Sequence, residues 1–161
     1  IDQYVGTTEL MRGHTVTSDV IEYDVRLPQP KEQENLNLAF SDAVYDFYRL
    51  RIVDDVPWKM EHSIMPVKVV PGLNQGVLKH SIYRYMREDL GETIGAAYRI
   101  IRAAQPNTYD RRYLSATSDT PMLEVEQIVS LADGTQFEYS FTRNRYDEGS
   151  IVVYHPERPM L

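Results

Sequence analysis

The chain has 161 residues, a formal net charge of −7 and no cysteine. That length suits a single domain that buries a real hydrophobic core. The acidic balance argues against direct nucleic-acid binding, because nucleic-acid-binding surfaces are basic. The lack of cysteine excludes disulfides, thiolate nucleophiles and zinc sites built on sulfur. No apolar run reaches the roughly 20 residues of a membrane span, and no signal peptide opens the chain, so we expect a cytoplasmic protein without membrane contact.

Residues 1–17 are polar and contain the helix- and strand-breaking residues Gly6 and Gly13. We interpret them as a linker. Because the first residue is Ile1 and not methionine, we expect the chain to be a piece of a longer protein. The domain itself is then predicted over residues 18–161.

A half-buried strand is predicted from Asp19 to Leu27, where polar and apolar residues alternate. Pro28 and Pro30 end it, since proline cannot donate to a central ladder. Residues 31–38 then form a candidate short helix.

Residues 42–66 are predicted to form two long strands joined at Asp54-Asp55. Because residues two apart in a strand share a face, Arg49 and Arg51 project side by side. Two guanidinium groups so placed are suited to carboxylate or phosphate oxygens and would clamp an anion. The alternative is an ordinary solvated strand face. Glu61, on the returning strand, would either accept hydrogen bonds from a polyol or amine or neutralise an arginine.

The length of the turn decides where Glu61 points. A strict two-residue loop pairs Arg49 with Met60 and sends Glu61 to the opposite face. A loop of three or five residues, or a bulge, places Glu61 beside Arg49. A site that contains both residues therefore predicts an odd loop or a bulge.

A helix is predicted from Ser81, because Ile82, Tyr85, Met86 and Leu90 recur at helical spacing before Gly91. The Ser81 hydroxyl has two interpretations at this point. It caps the first free backbone N–H groups, or it lies with them around a bound anion.

Further strands are predicted at residues 93–104, 123–131, 135–144 and 151–154, with a helical turn near residues 109–114. Asp133-Gly134 is a strong hairpin signal between two of them. The strands come mostly as hairpins and do not alternate with helices. We therefore predict an α+β fold with an antiparallel sheet of about six strands and two or three short helices.

The strand after Asp133-Gly134 carries a row of polar residues. Alternation predicts Phe137, Tyr139 and Phe141 on one face, and Glu138, Ser140, Thr142 and Asn144 on the other. The polar row is either the wet face of a sheet or the wall of a polar pocket.

The sequence contains no recognisable catalytic constellation. The four histidines, His14, His62, His80 and His155, lie far apart and have no metal-ligand spacing with carboxylates. A nucleophile elbow, a P-loop and a dinucleotide fingerprint are all missing. We predict no catalytic residues, no metal and no cofactor.

Several segments, in order, resemble one known family. They are the linker GTTELMRG, the strand SDVIEY, the pair RLR followed by a hairpin and EHSIMP, the helix start HSIYRYM, and EYSFTRNRYD after a DG turn. Together they resemble the UTRA domain, the effector-binding domain of GntR-type transcription regulators of the HutC subfamily, and they span residues 6–147.

The resemblance implies a chorismate-lyase-like fold, an antiparallel sheet flanked by helices. It implies a homodimeric domain that binds a small anionic metabolite, such as a sugar phosphate or an organic acid, without transforming it. DNA would be bound only by a winged-helix domain upstream of Ile1. In the family pattern Arg49, Arg51 and Ser81 surround a phosphate together with Thr8, and Glu61 and Glu138 hold the polar body of the ligand.

The chain departs from that pattern at Arg143 and Asn144, which stand where relatives have aromatic residues, so a ring that would contact the ligand is missing. Asn144 is retained as a candidate ligand contact. Two alternatives to a ligand sensor are open: a chorismate-lyase-like enzyme of the same fold, which would also bind an anion with arginines, and a module that only dimerises, its pocket lost, to which the substitution at Asn144 points.

Overall fold

Six strands and four short helices make up the described part of the chain, which is residues 11–152 of a computed structural model. In chain order they are β1 (Val16–Arg26), α1 (Pro30–Leu36), β2 (Val44–Val53), β3 (Val56–Pro66), α2 (Gln75–Leu78), α3 (Ile82–Glu88), β4 (Ile94–Ala104), α4 (Thr108–Tyr113), β5 (Met122–Leu131) and β6 (Gln136–Arg145). None of these helices has the length and apolar character needed to cross a membrane.

All the strands belong to one antiparallel sheet with the order β1-β2-β3-β6-β5-β4. Two hairpins, β2-β3 and β5-β6, meet at its centre, where β3 pairs with β6. Their turns use residues that tolerate positive φ: Asp54 at 49°, Asp55 at 66° and Gly134 at 90°. The α+β prediction is confirmed.

Most predicted elements occur within a few residues of their expected bounds. Pro30 occupies the first turn of α1. The N–H groups of that turn have no partner within the helix, so the missing N–H of proline costs no hydrogen bond there. The helix α2 was not predicted, because it has only four residues and depends on the Asn74 side chain, which accepts a hydrogen bond from the Val77 N–H at 3.0 Å. The strand predicted at residues 151–154 is not formed at Ile151 and Val152, which are exposed beyond the end of the sheet. Residues 153 and 154 lie outside the described residues.

Both faces of the sheet are covered, by different helices. Helices α2 and α3 pack on one face over a core that includes Phe47, Met65, Leu78, Met86 and Phe137. The opposite face carries two smaller clusters. One contains Leu36 and Leu38, at and just beyond the end of α1, and the other contains Leu114, directly after α4. The first face also holds the cavity described below.

The predicted alternation in β6 is wrong at Phe137. Its ring packs in the core beneath α3, with its centroid 6.0 Å from that of Tyr83, whereas Tyr139 and Phe141 belong to the cluster on the opposite face. The reason is a register shift in the β5-β6 hairpin, where Val129 pairs with Glu138 but Ser130 pairs with Gln136. One extra residue at the start of the strand places Phe137 on the same face as Glu138.

Candidate functional site

A cavity of about 710 Å³ lies on the sheet face that α3 covers. Its walls come from the five strands β2 to β6, from the start of α3, from the segment after β6 and from Met11, ahead of β1; β4 contributes Arg99. Six of the seven site residues predicted from the sequence line this cavity: Arg49, Arg51, Glu61, Ser81, Glu138 and Asn144. The seventh, Thr8, lies outside the described residues.

The two arginines are buried, which contradicts the solvated-face alternative. Arg49 is 5% exposed and Arg51 is 3% exposed. Arg49 Nη1 donates to the backbone carbonyls of Leu78 at 3.0 Å and His80 at 3.1 Å, so the guanidinium is held against the segment that leads into α3. Burial lowers the pKa of Arg49, and the nearby Glu61 carboxylate opposes that change.

Glu61 pairs with Arg49 because the β2-β3 hairpin contains the predicted bulge. The turn itself has two residues, but the register shifts between Arg51 and Ile52. Ile52 faces Pro57 and Arg51 faces Lys59, which leaves Trp58 as the extra residue. Beyond the bulge Arg49 faces Glu61, and Arg49 Nη2 donates to Glu61 Oε2 at 2.7 Å. Arg51 Nη1 lies 3.5 Å from the same oxygen, so Glu61 neutralises part of the arginine charge.

Lys59 is a cavity residue that the sequence analysis missed. The bulge turns Lys59 onto the same face as Arg51, its direct cross-strand partner, and its ammonium lies 4.3 Å from the centre of the Trp58 ring. Burial lowers the pKa of Lys59, and Arg51 and Arg99 add to this while Glu61 opposes it. The register argument that would place Glu61 beside Arg49 would also place Lys59 beside Arg51, but only the structure shows where the extra residue lies.

Glu138 sits at the centre of a buried hydrogen-bond network. Its Oε1 accepts hydrogen bonds from Gln127 Nε2 at 3.0 Å and Ser140 Oγ at 2.5 Å, and its Oε2 accepts one from the Tyr83 hydroxyl at 2.5 Å. Burial raises the pKa of Glu138 even though these donors favour the charged form. The polar row of β6 is therefore a pocket wall and not the wet face of a sheet, and its members Glu138, Thr142 and Asn144 line the cavity.

Asn144 connects β6 to the bulge. Its Nδ2 donates to the Trp58 carbonyl at 2.9 Å, which satisfies a backbone oxygen close to the bulge. The Trp58 indole in turn donates to the Glu148 carbonyl at 2.7 Å. These two bonds tie the segment after β6 across one side of the cavity, where Gly149 packs closely on Asn144.

Arg143 does not line the cavity, although it stands at a position where the family pattern has an aromatic residue that would contact the ligand. Its guanidinium donates to Asp110 at 2.9 Å, to Glu124, and to the Gln105 carbonyl at 2.7 Å. Because neighbouring residues in a strand point to opposite faces, Arg143 projects away from the cavity that Asn144 lines. The missing aromatic at this position therefore removes nothing from the cavity walls.

Ser81 caps α3, as one of its two interpretations predicted. Its hydroxyl accepts a hydrogen bond from the Arg84 N–H at 3.2 Å. The residue also borders the cavity, next to the His80 carbonyl that holds Arg49. Within residues 11–152 no three histidine or acidic side chains cluster in a way that would hold a metal ion.

Comparisons with known proteins agree with this architecture. The UTRA domain family matches residues 11–148. The HTH-type transcriptional regulator GmuR of Bacillus subtilis is 35% identical over 98% of this chain, and the chain spans 66% of GmuR.

Two solved structures are similar over most of the chain. A GntR-family transcriptional regulator from Bacillus cereus has a TM-score of 0.76 and 30% identity, with 88% of this chain and 99% of that chain covered. The effector-binding domain of the B. subtilis trehalose repressor TreR has a TM-score of 0.75 and 25% identity, with the same shares covered.

Proposed function

The chain belongs to the UTRA domain family of GntR-type transcription regulators, and from that premise we propose that its cavity is the sensing site for a small anionic metabolite. The observation that carries the proposal is the burial of Arg49 and Arg51 side by side in the wall of a cavity of about 710 Å³. Buried guanidinium groups cost desolvation free energy, and an anion between them would offset that cost.

The ligand that fits best has an anionic end and a hydroxylated body, as a sugar phosphate does. Arg49, Arg51 and Ser81 would hold the anionic group, joined by Thr8 from the preceding segment. The carboxylates of Glu61 and Glu138 would accept hydrogen bonds from the hydroxyl groups of the ligand, and the amide of Asn144 would accept from them or donate to them. An organic acid is the other class that the arginines suit, because their planar forks match carboxylate as well as phosphate oxygens.

The regulatory step would be carried out by the longer protein. We propose that the linker predicted over residues 1–17, of which Val16 and Thr17 already pair with β2 as the start of β1, joins the domain over residues 18–161 to an upstream winged-helix domain. We also propose that the full protein is a homodimeric regulator of the HutC subfamily. Ligand binding would then change the spacing between the two DNA-binding domains of the dimer. The trehalose repressor has an effector-binding domain of similar structure, which supports this assignment.

The two alternatives drawn from the sequence are less well supported. GmuR and the two structural relatives above are named as transcription regulators and not as enzymes, so a lyase activity has no support from them. The open cavity does not fit a module whose pocket has been filled.

Calorimetric titration with a panel of sugar phosphates and organic acids tests the proposal. We expect saturable binding of at least one class, and its loss in Arg49→Ala and Arg51→Ala. Arg112→Ala, an exposed arginine of α4, is the matched control and should bind as the parent chain does. Unchanged affinity in both cavity variants would refute the clamp. Circular dichroism establishes that each variant is folded, which matters most for Arg49 because it also holds two backbone carbonyls.

A further inference from the structure

The strand β4 lies at one edge of the sheet and has little cover on either face. Eight of its eleven residues are exposed, whereas no residue of its neighbour β5 is. Apolar side chains stand out on both faces: Tyr98, which is 67% exposed, and Ile100 on one face, and Ile101 on the other. Among residues 11–152 no strand lies beyond β4. A strand in this position presents a row of backbone N–H and C=O groups to other chains.

The other edge strand, β1, is protected in a way that β4 is not. It carries three carboxylates, Asp19, Glu22 and Asp24, and its register with β2 shifts in mid-strand. Charged side chains and bulges keep edge strands from pairing with other chains. By contrast, β4 contains no acidic residue, lysine or proline, and its register with β5 is regular over residues 97–104. The sheet can therefore accept a further strand at β4 more readily than at β1.

The two arginines of β4 are compatible with such pairing, because both reach back to β5. Arg102 donates to Glu124 at 2.9 Å and to Glu126 at 2.7 Å. Arg99 Nε donates to Gln127 Oε1 at 3.0 Å. The chain as a whole carries a net charge of −7, so two copies repel each other on average. Of the two sheet edges, β4 is the one whose own charges do not add to that repulsion.

We propose that β4 is the surface by which two copies of this chain associate, edge to edge and antiparallel, so that their two sheets continue as one. The inference rests on the homodimer of the proposed function and assigns it an interface. Antiparallel pairing of two identical strands has a two-fold axis perpendicular to the sheet, so residues that face each other come from the same face of the two copies. Arg99 of one copy therefore never faces Arg102 of the other, because these residues lie on opposite faces.

The side chains of β4 complement themselves when the axis passes through Ile100. This register pairs residues 97–103 of the two copies, all within the regular part of the strand. Ile100 then faces its own copy, and Tyr98 faces Arg102 of the second copy, twice by symmetry. A guanidinium beside a tyrosine ring is a favourable cation–π pair. An identical strand is thus a partner that the edge fits.

The test is the oligomeric state of the chain, measured by analytical ultracentrifugation over a concentration series. Tyr98→Lys places a like charge opposite Arg102 of the second copy. It should raise the dimer dissociation constant by roughly 10-fold or more, because the contact occurs twice. Tyr98→Glu places an opposite charge there and should preserve the dimer. Val25→Lys, at an exposed residue of β1, is the matched control and should dimerise as the parent chain does. Circular dichroism establishes that each variant is folded.

Hydrogen exchange of the β4 amides distinguishes edge pairing from a dimer that packs face to face. In an edge-paired dimer the amides on the outer side of β4 should exchange slowly in the parent chain and faster in Tyr98→Lys. Slow exchange confined to the amides that pair with β5 would overturn edge pairing even if the parent chain is dimeric.

The outcomes also separate this inference from the sensing site. A parent chain that sediments as a monomer throughout the series would overturn the interface and leave β4 to a strand from another protein or to none. A Tyr98→Lys dimer as tight as the parent would overturn it too. Neither result bears on the cavity, because the anion titration measures binding in monomer and dimer alike. A dimeric chain that binds no member of the anion panel would instead refute the sensing site and leave the interface standing.

Discussion

Arg49 and Glu61 face each other across β2 and β3 and are joined by a 2.7 Å hydrogen bond in a position where each side chain is less than 10% exposed. The sequence predicts this pairing only if the hairpin contains an odd loop or a bulge, and the structure contains the bulge. The pairing also means that this part of the cavity wall is held in shape by opposite charges and not by apolar packing alone.

Removing the carboxylate charge should therefore destabilise the domain. Glu61→Gln leaves two buried guanidinium groups without their counter-charge, and we expect the free energy of unfolding to fall by roughly 3 kcal/mol, as when one partner of a buried ion pair is lost. Urea denaturation measures the change. Glu88→Gln, in an exposed pair with Arg84, is the control and should be nearly neutral.

Sulfate provides a second measurement on the same variant. Because an anion would replace the missing negative charge, sulfate should restore more stability to Glu61→Gln than it adds to the parent chain. Equal stabilisation of the two proteins would mean that the anion does not bind beside the arginines.

The raised pKa of Glu138 makes the stability of the domain depend on pH. A carboxyl whose folded pKa lies above its unfolded value contributes stability below the unfolded pKa of about 4.5, and this contribution is lost as pH rises through the folded pKa. Glu138→Gln resembles the protonated form of the carboxyl and should remove this contribution to the pH dependence of the free energy of unfolding. We expect the difference in free energy of unfolding between variant and parent to shift in favour of the variant as pH rises from 4.5.

Chemical denaturation at several pH values measures this difference. Glu148→Gln, close to the cavity but in the exposed segment after β6, is the control and should follow the parent chain. Parallel curves for Glu138→Gln and the parent would show that the carboxyl does not titrate differently in the folded state.

Asn144 should act on the shape of the cavity as well as on its chemistry. Asn144→Ala removes the donor to the partly buried Trp58 carbonyl, and the loss of one such hydrogen bond costs about 0.5–1.5 kcal/mol. We expect a loss of stability in that range. We also expect the fluorescence emission of Trp58 to change, because its indole donates to the Glu148 carbonyl in the segment after β6 and would shift with the bulge. Asn35→Ala in α1, away from the cavity, is the control. Unchanged fluorescence would show that the bulge keeps its geometry without Asn144.

Local sequence signals determined the elements of this protein and several of the residues that line its cavity. Alternation identified β2, β3 and β4, and the residues at Asp54-Asp55 and Asp133-Gly134 marked the two turns. The two arginines shared a face because strand periodicity is two, and the Ser81 cap followed from its place before a helical pattern. Each of these depends on residues a few positions apart in the chain.

Only the tertiary structure decided which face of the sheet the residues beside each bulge point to, and that the side chains lining the cavity are buried. The shift at Trp58 turned Lys59 and Glu61 inward, and the shift at the start of β6 moved Phe137 to the face of Glu138. The physical reason is that a strand's register is set by its pairing with a partner and by the core that each face covers, so one inserted residue reverses every side chain beyond it. No short window of sequence contains that information.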